Sequence, residues 1–250
     1  MIKGLYTAAS AMNLLEKKSD ITANNLANTD TDGFKRQDTV SASFPEMLLN
    51  RIDSEGAQTL NSISTGAFLD HSFRDSSQGH LKATGNKLDL AVQGDGYFML
   101  ETEAGIRYSR NGNFSLNSSS EIVNQNGQAL LDTNGQRIQL IDGEDFIISA
   151  NGEITFNNGL EGSQIALMSF ADQDQLISEG NNLFQLPEEA EPPQQSEAII
   201  VQGHLENSNV EIVKEMVNMI KTTRQYESNQ KVIQSIDDNL NMAINELGQA

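Results

Sequence analysis

Two kinds of hydrophobic pattern occupy different stretches of the chain. Between residues 4 and 27 there is no proline, and the one glycine is Gly4. Leu5, Met12 and Leu26 recur on a seven-residue spacing with Ser19 as its polar member, and Ala8, Leu15 and Thr22 fill a second series three residues on. That spacing predicts an α-helix with a narrow apolar seam. Asn28-Thr29-Asp30-Thr31-Asp32-Gly33 then ends it, because short polar side chains bond to nearby backbone and compete with the helix. A second helix is predicted from Val210 to Leu247. Ile212, Met219, Tyr226, Ile233, Leu240 and Leu247 return every seven residues, with a less regular companion series of Met216, Thr223, Gln230, Ile236 and Ala243. Gly248 is placed to cap it. At 1.5 Å per residue the helices reach roughly 35 and 55 Å, too long to wrap on a small domain.

Between them the period changes. Asn111-Gly112, Asn126-Gly127, Asn134-Gly135, Asp142-Gly143, Asn151-Gly152 and Asn158-Gly159 supply the positive φ angles that tight hairpin turns need. Short β-rich runs separate them at 106–108, 114–116, 137–141, 146–148, 153–156 and 164–168. The predicted fold class is α+β: discontinuous, coiled-coil-like terminal α-helices flanking a central antiparallel all-β domain. Residues 1–36 with 204–250 read as the helical domain, 37–75 as a polar extended connector and 76–203 as the β-rich domain. The segment from Pro187 to Pro193 reads as an acidic, proline-containing loop.

Composition narrows the partners. The 250 residues hold 16 Lys and Arg against 35 Asp and Glu, a formal net charge of -19 that argues against nucleic acid and against a polybasic membrane anchor. No run approaches the roughly 18 apolar residues of a membrane helix. Without cysteine there is no disulfide framework, zinc–thiolate site or thiol nucleophile. Met1 to Ala11 has one early lysine and no long apolar run before a cleavage site, so it does not read as a secretory signal. The protein is expected to stay inside, or to leave by a route that removes nothing.

The chain carries no clear catalytic or ligand-binding motif. Gly94-Asp95-Gly96 is followed by Tyr97-Phe98-Met99-Leu100, which reads as strand, whereas a phosphate loop needs a helix there. Asn28, Asp30, Asp32 and Gly33 match the first calcium-loop positions, but Thr39 stands where the bidentate glutamate belongs. His71, His80 and His204 form no metal-ligand pair in sequence. No nucleophile motif is present. We therefore assign no catalytic residue, cofactor or metal ligand. The seams carry more weight, since a narrow stripe suits helix–helix contact better than burial on a sheet. Leu5, Met12, Leu15 and Leu26 on the first helix, with Ile212, Met216, Met219, Tyr226, Ile233, Leu240 and Leu247 on the second, form the candidate assembly interface. The competing readings are that both stripes cover the chain's own β core, or that the helices oligomerise an extracellular β-domain binding module. The second of these would need an aromatic-lined site, and the chain has no Trp and only four Tyr.

The stretch from Thr22 to Lys35 resembles the signature of the flagellar basal-body rod and hook proteins, and Gly4 to Met12 looks like the start of that family. Gly79 to Phe98 is similar to the family's passage into its β domain. Gly203 to Val210 opens its carboxy-terminal motif, continued by Glu215-Met216, Arg224-Gln225-Tyr226-Glu227 and Lys231-Val232-Ile233. The likeness runs in order through nearly the whole chain and is nearest the proximal and distal rod members, FlgF and FlgG. It implies a structural rod subunit at the flagellar basal body, exported unprocessed through the flagellar type III apparatus. The terminal helices would form the inner core and the β domain would lie outside, with copies of itself and other rod and hook proteins as partners. Asn24, Asn25 and Asn28, with Gly33 and Phe34, would direct the chain out of the first helix.

Overall fold

The computed structural model describes residues 2–43, 47–53, 56–63, 66–141, 143–187 and 190–247, with residue 2, the two strands within 47–63 and residues 246–247 as backbone only. The chain divides into two units: 1–27, 37–75 and 211–250 in one, 28–36 and 76–210 in the other.

The first unit is built on two helices, α1 (Ile2–Ala27) and α2 (Ile212–Leu247). They pair along their lengths and run antiparallel. Gly4 of α1 lies against Ile236 of α2, while Leu15 and Ser19 share a cleft with Thr222 and Tyr226. The expected connector is not simply extended. Gln37–Ser43 pairs antiparallel with Ala67–Arg74, and Met47–Asp53 with Gly56–Ile63. The first of these ladders packs against α1. Apolar residues in these strands cluster, as in Met47-Leu48-Leu49 and Ala67-Phe68-Leu69, instead of alternating as in a half-buried sheet, so their backbone pairing leaves little trace in the sequence. Asn25 helps fix the ladder: its Nδ2 donates to the carbonyl of Gln37 at 2.7 Å, and its Oδ1 accepts the Gln37 amide at 2.9 Å. One side chain thus stands in for a neighbouring strand.

The second unit is all antiparallel β. Its main sheet of nine strands centres on Tyr97–Thr102, which pairs with Gly105–Ser109, Ala129–Leu130 and Leu167–Ser169. A three-stranded sheet (Phe146–Ile148, Glu153–Phe156, Glu161–Gln164) and two two-stranded ones (Leu90–Gln93 with Ile199–Gln202, Leu81–Ala83 with His204–Glu206) complete it. Tyr97-Phe98-Met99-Leu100 is apolar without alternation because both of its faces are covered. Phe98 and Leu100 point into a core with Phe114, Ile122 and Ile138, while Tyr97 and Met99 point into another with Tyr108, Phe170 and Phe184. Tyr97 and Tyr108 meet Phe170 edge-on at 5.6 and 4.8 Å between ring centres.

The expected runs at 106–108, 114–116, 146–148 and 153–156 are strands. The run 137–141 instead makes isolated bridges at Arg137 and Gln139, burying Ile138 and Leu140. The run 164–168 is divided, since the chain changes sheets there: Ile165 donates to Gly152 and Ala166 to Leu131. Residues 28–36 and 204–210, expected with the helices, belong to the β unit. Hydrogen bonds hold them there, and periodicity carries no sign of such bonds.

One five-residue turn recurs at 117–121, 124–128, 132–136, 149–153 and 156–160. In each the first amide donates to the fifth carbonyl, and the fourth amide to the first carbonyl, at 2.8–3.0 Å. The fourth residue has positive φ, which is why it is glycine in four copies; in the remaining copy Ser120 takes φ 58°. Asn117, Asn124 and Asp132 add a side-chain oxygen that accepts both the third and the fifth amides. The expected Asp142 turn and the Gly248 cap lie outside the described residues, as does part of the acidic Pro187–Pro193 loop.

Candidate functional site

The helix pair sorts the predicted seam residues by what they touch. On α1 the series Ala8, Leu15 and Thr22 is buried, and Leu5, Met12 and Leu26 are half-buried beside it. Thr22 is reconciled with burial by donating its hydroxyl to the Lys18 carbonyl at 2.9 Å. On α2, Met219, Ile233 and Leu240 are half-buried, joined by Ile236 and Ala243. The companion series at the other end of α2 is Glu215 and Thr222, both buried, with Asn229 half-buried. Sequence reasoning put Met216, Thr223 and Gln230 there. The true series was invisible because its members are polar, although an unbroken seven-residue step back from Ala243 and Ile236 reaches each of them. Ile212 and Met216 are exposed, and Tyr226 is exposed at the margin. The side chain of Leu247 lies outside the described residues.

The helix pair therefore leaves a second stripe uncovered. Val213, Met216, Val217 and Ile220 stand one helical face apart from the buried series, and each has between 44% and 75% of its surface open. Their spacing of three and four residues makes them one continuous ridge. Tyr6 on α1 is likewise exposed.

In the β unit the motif residues meet a buried charge cluster. The Glu206 carboxylate accepts from Lys35 Nζ at 2.6 Å, from Arg110 Nε at 2.7 Å and from the Gly79 amide at 2.9 Å. All three charged side chains are at most 5% exposed. The surplus positive charge meets backbone carbonyls: Lys35 also donates to Ser77, and Arg110 to Val92, Gly94 and Gly96. Gly33 donates its amide to the Glu206 carbonyl at 2.7 Å and has φ +72°, and a Cβ there would lie 2.6 Å from the Arg110 carbonyl carbon. Only glycine fits that close approach. Arg36 donates its amide to Asn209 Oδ1, and Asn209 Nδ2 donates to the Ser77 carbonyl. Segments 33–36, 77–79 and 206–209 are thus tied at one place. Of the other motif residues, Asn25 is buried, Asn24 is exposed, Asn28 is half-buried with Oδ1 accepting the Thr31 hydroxyl, and Phe34 is half-buried. Glu206 was missed by sequence reasoning, since nothing local marks a residue whose partners are 171 and 96 positions away.

Elsewhere three carboxylates have their pKa lowered by a paired cation. Arg137 holds Glu101 below the usual carboxylate range, Lys87 does the same to Asp145, and Arg107 to Glu179, each chiefly through a side-chain hydrogen bond. Burial pushes the Asp32 carboxyl up, opposed by Lys82, and burial likewise raises the Tyr108 phenol. An open polar depression of about 730 Å³ is lined by Glu101, Glu121, Gln128, Arg137 and neighbours. His204 Nδ1 lies 3.0 Å from the Gln202 carbonyl and His71 lies beside Asp70. Among the described residues no group of three or more His, Asp or Glu is arranged to hold a metal ion, and no helix is long and apolar enough to cross a membrane.

Comparison with known proteins matches three families in order along the chain. Residues 5–35 match "Flagella basal body rod protein", 91–156 "Flagellar hook protein FlgE/F/G D1 domain" and 201–246 "Flagellar basal body rod FlgEFG protein C-terminal". The chain is 33% identical to the flagellar hook-basal body complex protein FlhO of Bacillus subtilis (strain 168), with 100% of both chains covered. It is 31% identical to the flagellar basal-body rod protein FlgG of the same organism, covering 98% of this chain and 99% of that one. It is 30% identical to the flagellar basal-body rod protein FlgF of Caulobacter vibrioides, covering 100% and 99%. Three family models in order along the chain, with relatives at least 30% identical over its whole length, show that the chain belongs to the flagellar basal-body rod protein family.

Proposed function

We propose that this chain is a structural subunit of the bacterial flagellar basal-body rod, joining copies of itself and other rod and hook proteins into the axial shaft that serves motility. It catalyses nothing in this role. The helical unit supplies the inner, assembling wall and the β unit the outer body. The chain reaches its place through the flagellar type III apparatus. The observation that carries the reading is the apolar ridge Val213, Met216, Val217 and Ile220, which the α1–α2 pairing leaves open. A surface contact between like subunits that does not close on itself generates a helical filament. The predicted interface residues divide accordingly. Leu15 and its buried neighbours join α1 to α2, while Ile212 and Met216 are available to another subunit.

The test replaces Met216 and Ile220 by serine in a strain that depends on this protein. The purified variant is expected to keep its far-UV circular dichroism, because neither side chain is buried in the subunit. The cells are expected to lose swimming and to show truncated rods by electron microscopy. Intact rods and normal swimming would overturn the proposed interface.

A further inference from the structure

The recurrent turn carries a chemistry that the fold does not use. Its third and fourth residues are asparagine and glycine in four copies: Asn126-Gly127, Asn134-Gly135, Asn151-Gly152 and Asn158-Gly159. A fifth such pair, Asn111-Gly112, lies outside the repeat. A glycine amide nitrogen has no Cβ beside it to block approach to the side-chain carbonyl carbon of the preceding asparagine. Attack forms an N–C bond, closes a five-membered succinimide and expels ammonia. Water then opens the ring at one of its two carbonyls, leaving aspartate or isoaspartate. In a folded chain the step requires the asparagine side chain to swing over the glycine nitrogen, so its neighbours decide where it happens.

The five pairs differ in that respect. Asn111 Oδ1 accepts the Asn113 amide at 2.9 Å, and Gly112 is so enclosed that a Cβ would fall 1.5 Å from the Leu90 carbonyl oxygen. Asn151 Oδ1 takes the Ser149 hydroxyl, and Gly152 is buried beneath Ile200 and Ile165. Asn158 Oδ1 accepts the Leu160 amide at 3.0 Å. Asn126 and Asn134 are exposed, and their side-chain amides make no hydrogen bond among the described residues. Open space surrounds Gly127 and Gly135. The restraint left to each glycine nitrogen is its turn bond, to Asn124 at 3.0 Å and to Asp132 at 2.9 Å.

We propose that Asn126 and Asn134 are sites of spontaneous deamidation in the folded protein. Each conversion adds one negative charge to a chain already at -19. Asn126 lies on the rim of the polar depression that Glu101, Glu121 and Arg137 also line, so its new carboxylate enters a place already rich in acid. The isoaspartate product adds a methylene to the main chain inside the five-residue turn. That extra length is incompatible with keeping both the fourth-amide and fifth-amide bonds to Asn124, or to Asp132 in the other copy. This inference stands apart from the rod reading and does not depend on assembly.

The full-length chain, held for weeks in mildly alkaline buffer at 37 °C, is sampled by peptide mapping with mass spectrometry that separates aspartate from isoaspartate. Asn126 and Asn134 are expected to convert at least about tenfold faster than Asn111 and Asn151, which react only after a local opening. In denaturant the five rates should draw together. The N126Q/N134Q variant should release ammonia in the early phase at no more than the residual rate of the other sites. Similar rates at all five sites in the folded chain, a faster reaction at Asn111 or Asn151, or undiminished ammonia release from the double variant would overturn the assignment.

Discussion

Glu206→Gln tests the charge cluster most directly. The substitution keeps the size of the side chain and one carbonyl acceptor, but removes the single negative charge that faces Lys35 and Arg110, both at most 5% exposed. It also places an –NH2 group, a donor, where either Arg110 Nε or both Lys35 Nζ and the Gly79 amide now find an oxygen. Breaking a buried ion pair by altering one partner costs about 3–5 kcal/mol, because the remaining charge cannot return to water. Two cations are stranded here, yet both keep backbone carbonyl partners, Ser77 for Lys35 and Val92, Gly94 and Gly96 for Arg110. Those partners place the expected loss near the lower end, about 3 kcal/mol, a large part of the 5–15 kcal/mol that holds a typical domain together. Urea unfolding of the full chain followed by near-ultraviolet circular dichroism reads the β unit, since Tyr97 and Tyr108 are buried against Phe170 while Tyr6 and Tyr226 are exposed. With a slope of about 2 kcal/mol per molar, the midpoint should fall by about 1.5 M with the slope unchanged. Added salt should not restore it, as buried pairs are little screened. In the same assay Lys35→Met combined with Glu206→Gln should cost less than the two changes summed, because it removes one stranded cation. A midpoint within ~0.3 M of the unmodified protein would show that the cluster does not hold the unit together as its geometry says.

Four further outcomes are expected. Ser120→Gly should raise β-unit stability by about 0.5–1 kcal/mol in the same urea experiment, since it relieves a left-handed conformation that L-residues reach at a cost of roughly 1–2 kcal/mol, less the added freedom of the unfolded chain. Asn25→Ala should destabilise the helical unit by about 1–3 kcal/mol and expose the Gln37 amide to hydrogen exchange, because the buried Asn25 side chain loses both of its bonds to Gln37. Asp32 has its folded pKa raised by burial, so its ionisation opposes folding; the stabilising effect of Asp32→Asn should grow as pH rises from the usual carboxylate range and level off above the raised value. Glu101, Asp145 and Glu179 are shifted the other way, so their pairs contribute above the usual carboxylate range and that contribution is lost as pH falls through their lowered values; thermal scans of Arg107→Met should show a weaker acid dependence than the unmodified chain.

The helices and turns were legible because each depends on residues close together in the chain. Leu15 with Ala8 and Thr22 gave one face of α1 directly, and the Asn-Gly pairs marked four of the five recurrent turns. The fifth was missed, since Ser120 takes the conformation without being the residue that advertises it. The α1–α2 seam was half legible. Ile233, Ile236 and Leu240 registered as apolar, but Glu215 and Thr222 occupy buried positions that a hydrophobic pattern passes over. The strands between 37 and 74 and the Lys35–Glu206–Arg110 cluster left no local mark. Their stabilising contacts are backbone ladders and charge pairs between distant positions, and a single sequence does not record which distant residues will meet.

The cluster also bears on when the β unit can close. Lys35 and Arg110 leave the ribosome long before Glu206, which follows Arg110 by 96 positions. Until then the unit lacks the Ile199–Gln202 and His204–Glu206 strands and the anion that two of its interior cations require. The added entropy of so distant a closure is small, about 0.6 kcal/mol per doubling of loop length, so the effect falls on order of events more than on final stability. A nascent molecule therefore cannot complete the β unit until Glu206 has emerged.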